Sequence, residues 1–280
     1  MHDFQRDRVP AQEPLKRAMR LLADRDSAVA QIKHPAGTSP YFLICDHASR
    51  RLPRVLGSLG LSLTELKSHI AWDIGVAGLA GRLADRLNAS LILQTYSRLV
   101  IDCNRPPGAP DSIATVSERT RIPGNEGLSR TDAELRAREI FHPYHDRIRT
   151  ELDARRHGKR PTLLVALHSF TPTFLDVNRP WHIGVLYNRD ARLGQVLLDL
   201  LRRENDVIVG DNEPYAVSDD TDYTIVVHGE QRGIPHVELE VRQDLIADAP
   251  GQTLWALRLA RLLDEAATKL IPHGKVSFVR

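Results

Sequence analysis

Two histidines stand where short apolar segments of the sequence end, and both could bind a metal ion. The run Tyr41–Cys45 leads into Asp46-His47. The run Thr162–Leu167 leads directly into His168. Neutral imidazole is a good zinc ligand, and the end of a buried strand would hold it rigidly. Taken singly, each histidine is better explained as a hydrogen-bonded structural residue. Because both follow apolar runs in the same way, the two histidines together predict a shared metal site. With a third protein ligand, a four-coordinate metal would keep one position open for water.

An amide and a guanidinium follow a third apolar run, Leu99–Cys103. Asn104 and Arg105 together suit the bidentate capture of a carboxylate, because the planar guanidinium presents paired donors. Arg105 could equally form a structural ion pair with Asp102 or Asp111. The residues alone favour neither role.

Carboxylates alternate with apolar residues in a fourth run, His236–Val241. Glu238, Glu240 and Arg242 share one face of this strand, because side chains alternate with a period of two. Such alternation is most often a solvated face. Glu240 nevertheless stands near the end of the strand, where it could point into a cleft as a general base.

Strands and helices alternate along the chain and must position these side chains. The predicted strands are Tyr41–Cys45, Ser90–Gln94, Leu99–Cys103, Thr162–Leu167, His182–Tyr187, Val207–Val209, Tyr223–Val227 and His236–Val241. The predicted amphipathic helices are Pro14–Ala30, Ile74–Leu87, Asp132–Arg156, Ala191–Arg203 and Gln252–Leu270. The alternation predicts an α/β fold of three layers, with a mainly parallel or mixed central sheet and helices on both faces. Ligands of such sheets bind beyond the carboxyl ends of the strands.

One domain is expected, because no repeat or linker divides the chain. We expect residues 1–280 to form a single α/β hydrolytic domain, with residues 1–38 as an N-terminal helical extension packed on it. The segment Asn104–Thr131 is aperiodic and rich in proline and glycine. A loop of that length inside a compact domain is usually functional.

Charge and cysteine content exclude several classes of protein. The 38 basic and 36 acidic residues are interspersed and leave a net charge of +2, so neither a nucleic acid nor a membrane is an expected partner. Cys45 and Cys103 lie in apolar runs and predict no disulfide, which is typical of a reducing compartment. The first residues, Met1–Pro14, are polar where a signal peptide needs an apolar core. These features predict a cytoplasmic protein.

Five short motifs together resemble those of the N-formylglutamate amidohydrolase family, in family order and over about residues 40–250. They are Asp46-His47-Ala48-Ser49, Trp72-Asp73-Ile74-Gly75, Ser97-Arg98 with Asp102-Cys103-Asn104-Arg105-Pro106-Pro107, His168-Ser169-Phe170 and Glu238-Leu239-Glu240-Val241-Arg242-Gln243-Asp244. Each motif alone is weak, whereas their joint occurrence is specific. The family is similar in fold and site to the zinc carboxypeptidases and aspartoacylases, which implies a phosphorylase/hydrolase-like fold.

The resemblance implies a role for each matching residue. His47 and His168 would bind Zn²⁺ or another divalent metal. Asn104 and Arg105 would hold the carboxylate of a substrate, with help from Arg98, which would also stabilise the oxyanion. Glu240 matches the catalytic glutamate, and the neighbouring Glu238 would contact the substrate or serve as the base in its place.

The third metal ligand departs from the carboxypeptidase pattern. That pattern has a glutamate three residues after the first histidine, and Arg50 stands there in this chain. Arginine cannot coordinate a metal. Asp73 is the expected replacement, although an aspartate just before the predicted helix Ile74–Leu87 could simply be its N-cap.

The implied reaction is metal-dependent hydrolysis of N-formylglutamate to formate and glutamate, a step of histidine degradation. The expected partner is a small-molecule N-acyl amino acid substrate. Alternatives are an N-acyl amino acid deacylase, a carboxypeptidase-like enzyme with another substrate, and a non-catalytic ligand-binding relative, which Arg50 keeps open. The resemblance also places the loop Asn212–Tyr215 near the pocket. Four other histidines are expected to be structural: His142, His145, His228 and His236.

Overall fold

A seven-stranded mixed sheet runs through the centre of the computed structural model, which describes residues 20–271. The strands of the chain are β1 (Ala30–Lys33), β2 (Tyr41–Cys45), β3 (Ser90–Gln94), β4 (Val116–Ser117), β5 (Thr120–Arg121), β6 (Leu163–Phe170), β7 (Thr173–Phe174), β8 (Val177–Asn178), β9 (Ile183–Leu186), β10 (Val209–Asp211) and β11 (His236–Arg242). The central sheet has the order β1, β3, β2, β6, β11, β9, β10. Its inner strands β3, β2, β6 and β11 are parallel, β1 and β9 are antiparallel to their inner neighbours, and β10 is parallel to β9. The pairs β4–β5 and β7–β8 form two small hairpins.

Helices cover both faces of the sheet. They are α1 (Leu63–Lys67), α2 (Val76–Leu87), α3 (Arg130–Arg136), α4 (His142–His157), α5 (Arg192–Leu201), α6 (Thr224–His228) and α7 (Ala249–Leu270). A π-helical segment, Ala137–Phe141, joins α3 to α4. No helix within residues 20–271 combines the length and apolar character that a membrane span requires.

The alternating side chains of the strands build two separate apolar layers. On one face Leu43 and Val165 pack with helices α2, α5 and α7. On the other face Phe42 and Leu164 pack with the π-helical segment and α4. The predicted single three-layer α/β domain is thereby confirmed, with a mixed sheet.

Most predicted strands are present, and two are wrong. Leu99–Cys103 forms turns in place of a strand, although its apolar side chains are buried. The hydroxyl of Ser97 accepts the backbone N–H of Leu99 and so begins a turn that a strand would exclude. Tyr223–Val227 lies largely within helix α6. Short apolar runs carry too few residues for their periodicity to separate a buried strand from a buried helix.

The N-terminal helix prediction also differs from the structure where it can be compared. Of the predicted helix Pro14–Ala30, residues 14–19 lie outside the described residues, as do residues 1–19 of the expected extension 1–38. Residues 20–29 form turns and bends without a helix, and Ala30 opens the edge strand β1. This strand was missed because only four residues carry its alternation of part-buried and exposed side chains.

A pair of histidines is buried between helices α4 and α6. Nδ1 of His145 lies 3.0 Å from Nε2 of His228, and Nε2 of His145 donates to the carbonyl of Cys103 at 2.8 Å. His228 must then donate its Nε2 proton to His145, which leaves both rings neutral. Burial lowers the pKa of His145 to about 4 and lowers that of His228 further. The predicted structural role of these two histidines agrees with this geometry.

This pair should make the folded state sensitive to acid. Above pH 7 both rings are neutral in the folded and unfolded states and contribute nothing to the pH dependence. Below the unfolded pKa of about 6.5 only the unfolded chain takes up the two protons, so the contribution of this pair to the free energy of unfolding should fall by about 4 kcal/mol between pH 7 and pH 5. Urea denaturation of the wild type and of the double variant His145→Gln/His228→Gln should show this difference. Identical pH dependence in the two proteins would contradict it.

Candidate active site

Two imidazoles from neighbouring strands meet with one carboxylate at the carboxyl edge of the sheet. His47 follows β2, and His168 lies within β6, which continues to Phe170 and so beyond its predicted end. The two Nδ1 atoms are 3.2 Å apart. Asp73 Oδ2 lies 3.1 Å from Nδ1 of His168, and Oδ1 lies 3.4 Å from Nδ1 of His47. The three side chains are buried, and their ligand atoms all lie within 4.8 Å of one another, a group that could hold a metal ion.

The backbone fixes Asp73 in this position. Its N–H donates to the carbonyl of His47 at 3.0 Å, and its Oδ2 accepts the N–H of Ser169 at 3.1 Å. Gly75 follows with φ of 82°, and a Cβ there would collide with the carbonyl of Ile246. Gly75 is also the N-cap residue of α2, and no side chain caps that helix. The alternative that Asp73 is an ordinary N-cap is therefore wrong.

Two further buried carboxylates bind the Nε2 atoms of His47 and His168, which point away from the cluster. Nε2 of His47 lies 2.7 Å from Asp102 Oδ1, and Nε2 of His168 lies 3.2 Å from Asp46 Oδ2. Each carboxylate accepts an Nε2 proton, so Nδ1 is the nitrogen of each ring that faces the cluster and could bind a metal. Carboxylates in this position orient metal-binding histidines and raise their basicity. Sequence reasoning missed both roles, although Asp46 directly precedes His47.

Negative charge dominates the surroundings of these rings. Burial alone would raise the pKa of Asp73, but the two imidazoles outweigh it and hold that pKa far below its usual range. Burial would also lower the pKa of His168, but nearby carboxylates, Glu238 first among them, raise it well above its usual range. Without a metal, this charge favours protonated rings, and a divalent cation can take the place of those protons. Two imidazole nitrogens and a carboxylate in a buried, acidic site are donors of the kind that zinc prefers.

Two glutamates of β11 face the same space. Glu240 pairs with His168 in the parallel register of β11 with β6, so their side chains share one face of the sheet. Both Glu238 and Glu240 are buried, and the interpretation of this face as solvated is wrong because β11 is a central strand. Oε2 of Glu240 has no hydrogen-bond partner within residues 20–271. Burial raises the pKa of Glu240 to about 7 and that of Glu238 to about 8.

Arg98 lies beside the histidines and lines the cavity. Its Nη2 donates to Asp102 at 2.7 Å, and its Nη1 lies 3.7 Å from Oδ1 of Asp73. Arg98 therefore fixes Asp102 from the side opposite His47. The side chain remains about 29% exposed, which leaves part of the guanidinium accessible from the cavity.

Asn104 and Arg105 also line the cavity, and both already have protein partners. The Nδ2 of Asn104 lies 3.3 Å from Glu238 and 3.4 Å from Asp222, and its Oδ1 accepts two backbone N–H groups. Arg105 donates Nε to Asp111 at 2.9 Å, as one of the structural alternatives predicted, and Nη1 to the carbonyl of Thr221. A substrate carboxylate would have to take over some of these donors.

These residues surround one cavity of about 350 Å³, at the low end of the range for small-molecule sites. The wall includes Tyr215, so the loop Asn212–Tyr215 does reach the pocket. Behind it the guanidinium of Arg179 lies 4.8 Å from the Tyr215 ring and donates to its hydroxyl at 2.8 Å, an arrangement that sequence reasoning missed. Arg50 is exposed and lies 5.6 Å from the ring of Trp72, outside the cavity.

A buried imidazole–carboxylate group with an unpaired glutamate, at the carboxyl edge of an α/β sheet, defines the protein as an α/β enzyme. Residues 39–247 match the family model described as N-formylglutamate amidohydrolase. The chain belongs to the N-formylglutamate amidohydrolase family and is an amide-bond hydrolase.

Two solved structures share the fold of this chain. The gene product Atu2144 from Agrobacterium tumefaciens is 33% identical, with a TM-score of 0.87 over 90% of this chain and 100% of that one. An N-formylglutamate amidohydrolase from Ralstonia eutropha is 17% identical, with a TM-score of 0.59 over 85% of this chain and 99% of that one, which shows the fold. No protein of curated function matches the chain in sequence.

Replacing His168 with alanine should abolish metal binding. The purified wild type should carry about one zinc ion per chain, and His168→Ala less than about a tenth of that, because two ligands rarely retain zinc against dialysis. Elemental analysis of the dialysed proteins measures the content. The control is His157→Ala, whose exposed ring bonds to the carbonyl of Asp153 on α4. Equal metal content in the two variants would contradict the assignment.

Neutralising Asp102 should weaken the same site without removing a ligand. Asp102→Asn should lower zinc affinity about 10- to 100-fold, because the amide no longer accepts the Nε2 proton of His47 as strongly. Competition with a chromogenic chelator gives the affinity. The matched control is Asp111→Asn, an exposed carboxylate that binds Arg105. Unchanged affinity in Asp102→Asn would show that the carboxylate does not support the ligand.

Proposed function

We propose that this enzyme is a zinc-dependent deacylase that removes a formyl group from an acidic amino acid, converting N-formylglutamate and water to formate and glutamate. His47, Asp73 and His168 are the proposed ligands, and another divalent metal is chemically compatible with them. The family, the donor set and the small cavity support this proposal.

The observation that carries the proposal is the unpaired oxygen of Glu240. A buried carboxylate oxygen without a hydrogen-bond partner is costly, and such groups persist where chemistry uses them. Glu240 stands beside His168 in register and faces the cavity that contains all three proposed ligands.

Glu240 acts as the proton carrier in this proposal. It takes a proton from the attacking water as the oxygen bonds to the acyl carbon. It then delivers that proton to the nitrogen of the leaving amine as the C–N bond breaks. A zinc ion, when bound, would supply Lewis acidity that polarises the amide carbonyl and makes water acidic enough to react near neutral pH. Arg98 is the proposed partner of the oxyanion, through the part of its guanidinium that faces the cavity.

Binding of the non-reacting end positions the scissile amide. Arg105 is the proposed main partner of the substrate carboxylate, because its guanidinium lines the cavity and can exchange a carbonyl acceptor for a charged one. Asn104 would assist by turning Nδ2 from Glu238 to the substrate. Burial raises the pKa of Glu238 to about 8, and in its protonated form this side chain could donate a hydrogen bond to the same carboxylate.

A panel of N-formyl, N-acetyl and longer N-acyl derivatives of glutamate and other amino acids tests the substrate. The zinc-loaded protein should release amine fastest from N-formylglutamate. Faster release from longer N-acyl or peptide substrates would support the alternatives of a general N-acyl amino acid deacylase or a carboxypeptidase-like enzyme. No release from any member would sink the proposed reaction.

Replacing Glu240 with glutamine should stop the reaction while leaving the site intact. The kcat should fall about 100-fold or more, with KM changed less than about threefold, because the amide cannot carry the proton. Zinc content and thermal melting, measured on the same preparation, should match the wild type. Retention of more than about half of the wild-type kcat would rule out Glu240 as the proton carrier.

A further inference from the structure

Two small hairpins border the active-site cavity. Ser117 and Glu118 of the hairpin β4–β5 line the cavity, and so does Phe174 of the hairpin β7–β8. Each hairpin contains two residue pairs joined by a two-residue turn. Ribbons this short are barely stable by themselves, so contacts between them decide where they lie.

The turns of the two hairpins touch through an ion pair. Nη2 of Arg119 lies 2.5 Å from Oδ2 of Asp176. Next to it, Glu118 Oε1 lies 3.2 Å from Nε2 of His69, another residue of the cavity wall. These contacts, which we call the clasp, tie the β4–β5 turn to the β7–β8 turn and, through Glu118, to the cavity wall. Arg119 and Asp176 are exposed and lie outside the cavity lining, next to residues that belong to it.

The backbone of both turns is strained at residues of the clasp. Glu118 has φ of 51°, and Asp176 has φ of 67° after Leu175 at 48°. The β7–β8 turn has two positive φ values and the β4–β5 turn has one. Such positions usually take glycine or asparagine, because other side chains cost about 1–2 kcal/mol in this conformation. The side chains of Glu118 and Asp176 occupy these positions and make the clasp contacts. Strain retained at such positions points to a function of the side chain itself.

We propose that the clasp is a specificity determinant that limits the substrate to a single small N-acyl amino acid by closing the cavity mouth against longer acyl chains and peptides. This inference rests on the proposed deacylase function and names its substrate class by size. An acyl chain or peptide that extends out of the cavity must part the two turns and break the contact between Arg119 and Asp176. The free energy of that contact then adds to the barrier for long substrates and leaves short ones unaffected.

The test compares two substrates in one ratio. The ratio divides kcat/KM for a long-chain N-acyl derivative by kcat/KM for the fastest short-chain member of the panel, both on the same amino acid. In Asp176→Gly, which removes the ion pair and relieves the backbone strain, the ratio should rise about three- to fivefold, as expected for loss of an exposed ion pair. Its melting temperature should not fall. An unchanged ratio would overturn the proposal.

A matched control and a rescue variant distinguish loss of the clasp from a general effect of introducing glycine at a positive-φ position. Lys159 has φ of 53° after helix α4 and does not line the cavity, so Lys159→Gly relieves similar strain and should leave the ratio within about twofold of the wild type. The double variant Arg119→Asp/Asp176→Arg restores an ion pair of reversed polarity and should return the ratio to the wild-type value. An equal rise in Lys159→Gly, or no recovery in the double variant, would overturn the proposal.

The proposed function and the size limit fail in different ways. If N-formylglutamate is not a substrate, the wild-type enzyme will fail to hydrolyse it in the panel. The ratio is then measured with whichever short N-acyl amino acid the wild type does hydrolyse. If the wild type hydrolyses short substrates and Asp176→Gly does not change the ratio, only the size limit is wrong.

Discussion

The structure depends on an electrostatic constraint, the convergence of two imidazole Nδ1 atoms and a carboxylate in a buried space. The facing atoms of His47, His168 and Asp73 lie 3.1–3.4 Å apart, an arrangement that shared protons or a bound cation must stabilise. The constraint reaches outwards, because Asp46 and Asp102 must accept the outer protons for the inner nitrogens to stay free. The groups around Asp46 and Asp102 in turn hold these two carboxylates in place. Arg98 neutralises Asp102, and Tyr144 and Thr224 donate hydroxyl protons to Asp46.

The apolar layers offset the free-energy cost of burying this polar centre. Strands β2, β6 and β11 place apolar side chains on one face, where helices α2, α5 and α7 bury them. The same strands carry Asp46, His168 and Glu240 at or near their carboxyl ends on the opposite face. Burial of a large apolar surface stabilises the fold enough to hold several charged groups out of water, which few isolated polar clusters could achieve.

The sequence predicted the inner members of the site better than their supports. His47 and His168 were recognisable because each follows an uninterrupted apolar run, and such runs become parallel neighbours whose carboxyl ends meet. Asp73 could not be separated from an N-cap, because its distinguishing contact is with Ser169, which is distant in sequence. Asp102 was only one of two possible partners of Arg105 in the sequence, whereas the turn that replaces the expected strand Leu99–Cys103 directs it to His47 and Arg98. Contacts that depend on the path of a turn leave no periodic trace in the sequence.

The π-helical segment Ala137–Phe141 links the pitch of one helix to the chemistry of the site. Inward-facing residues on this helix, among them Arg136, Ile140 and Tyr144, recur every four positions, a spacing that drifts around a helix of 3.6 residues per turn. The wider π turn absorbs part of that drift. A deletion of one residue there would rotate everything that follows by about 100°. Such a rotation would withdraw Tyr144 from Asp46 and His145 from His228 together. A deletion in a segment that does not line the cavity would therefore remove a support of the His168 ring.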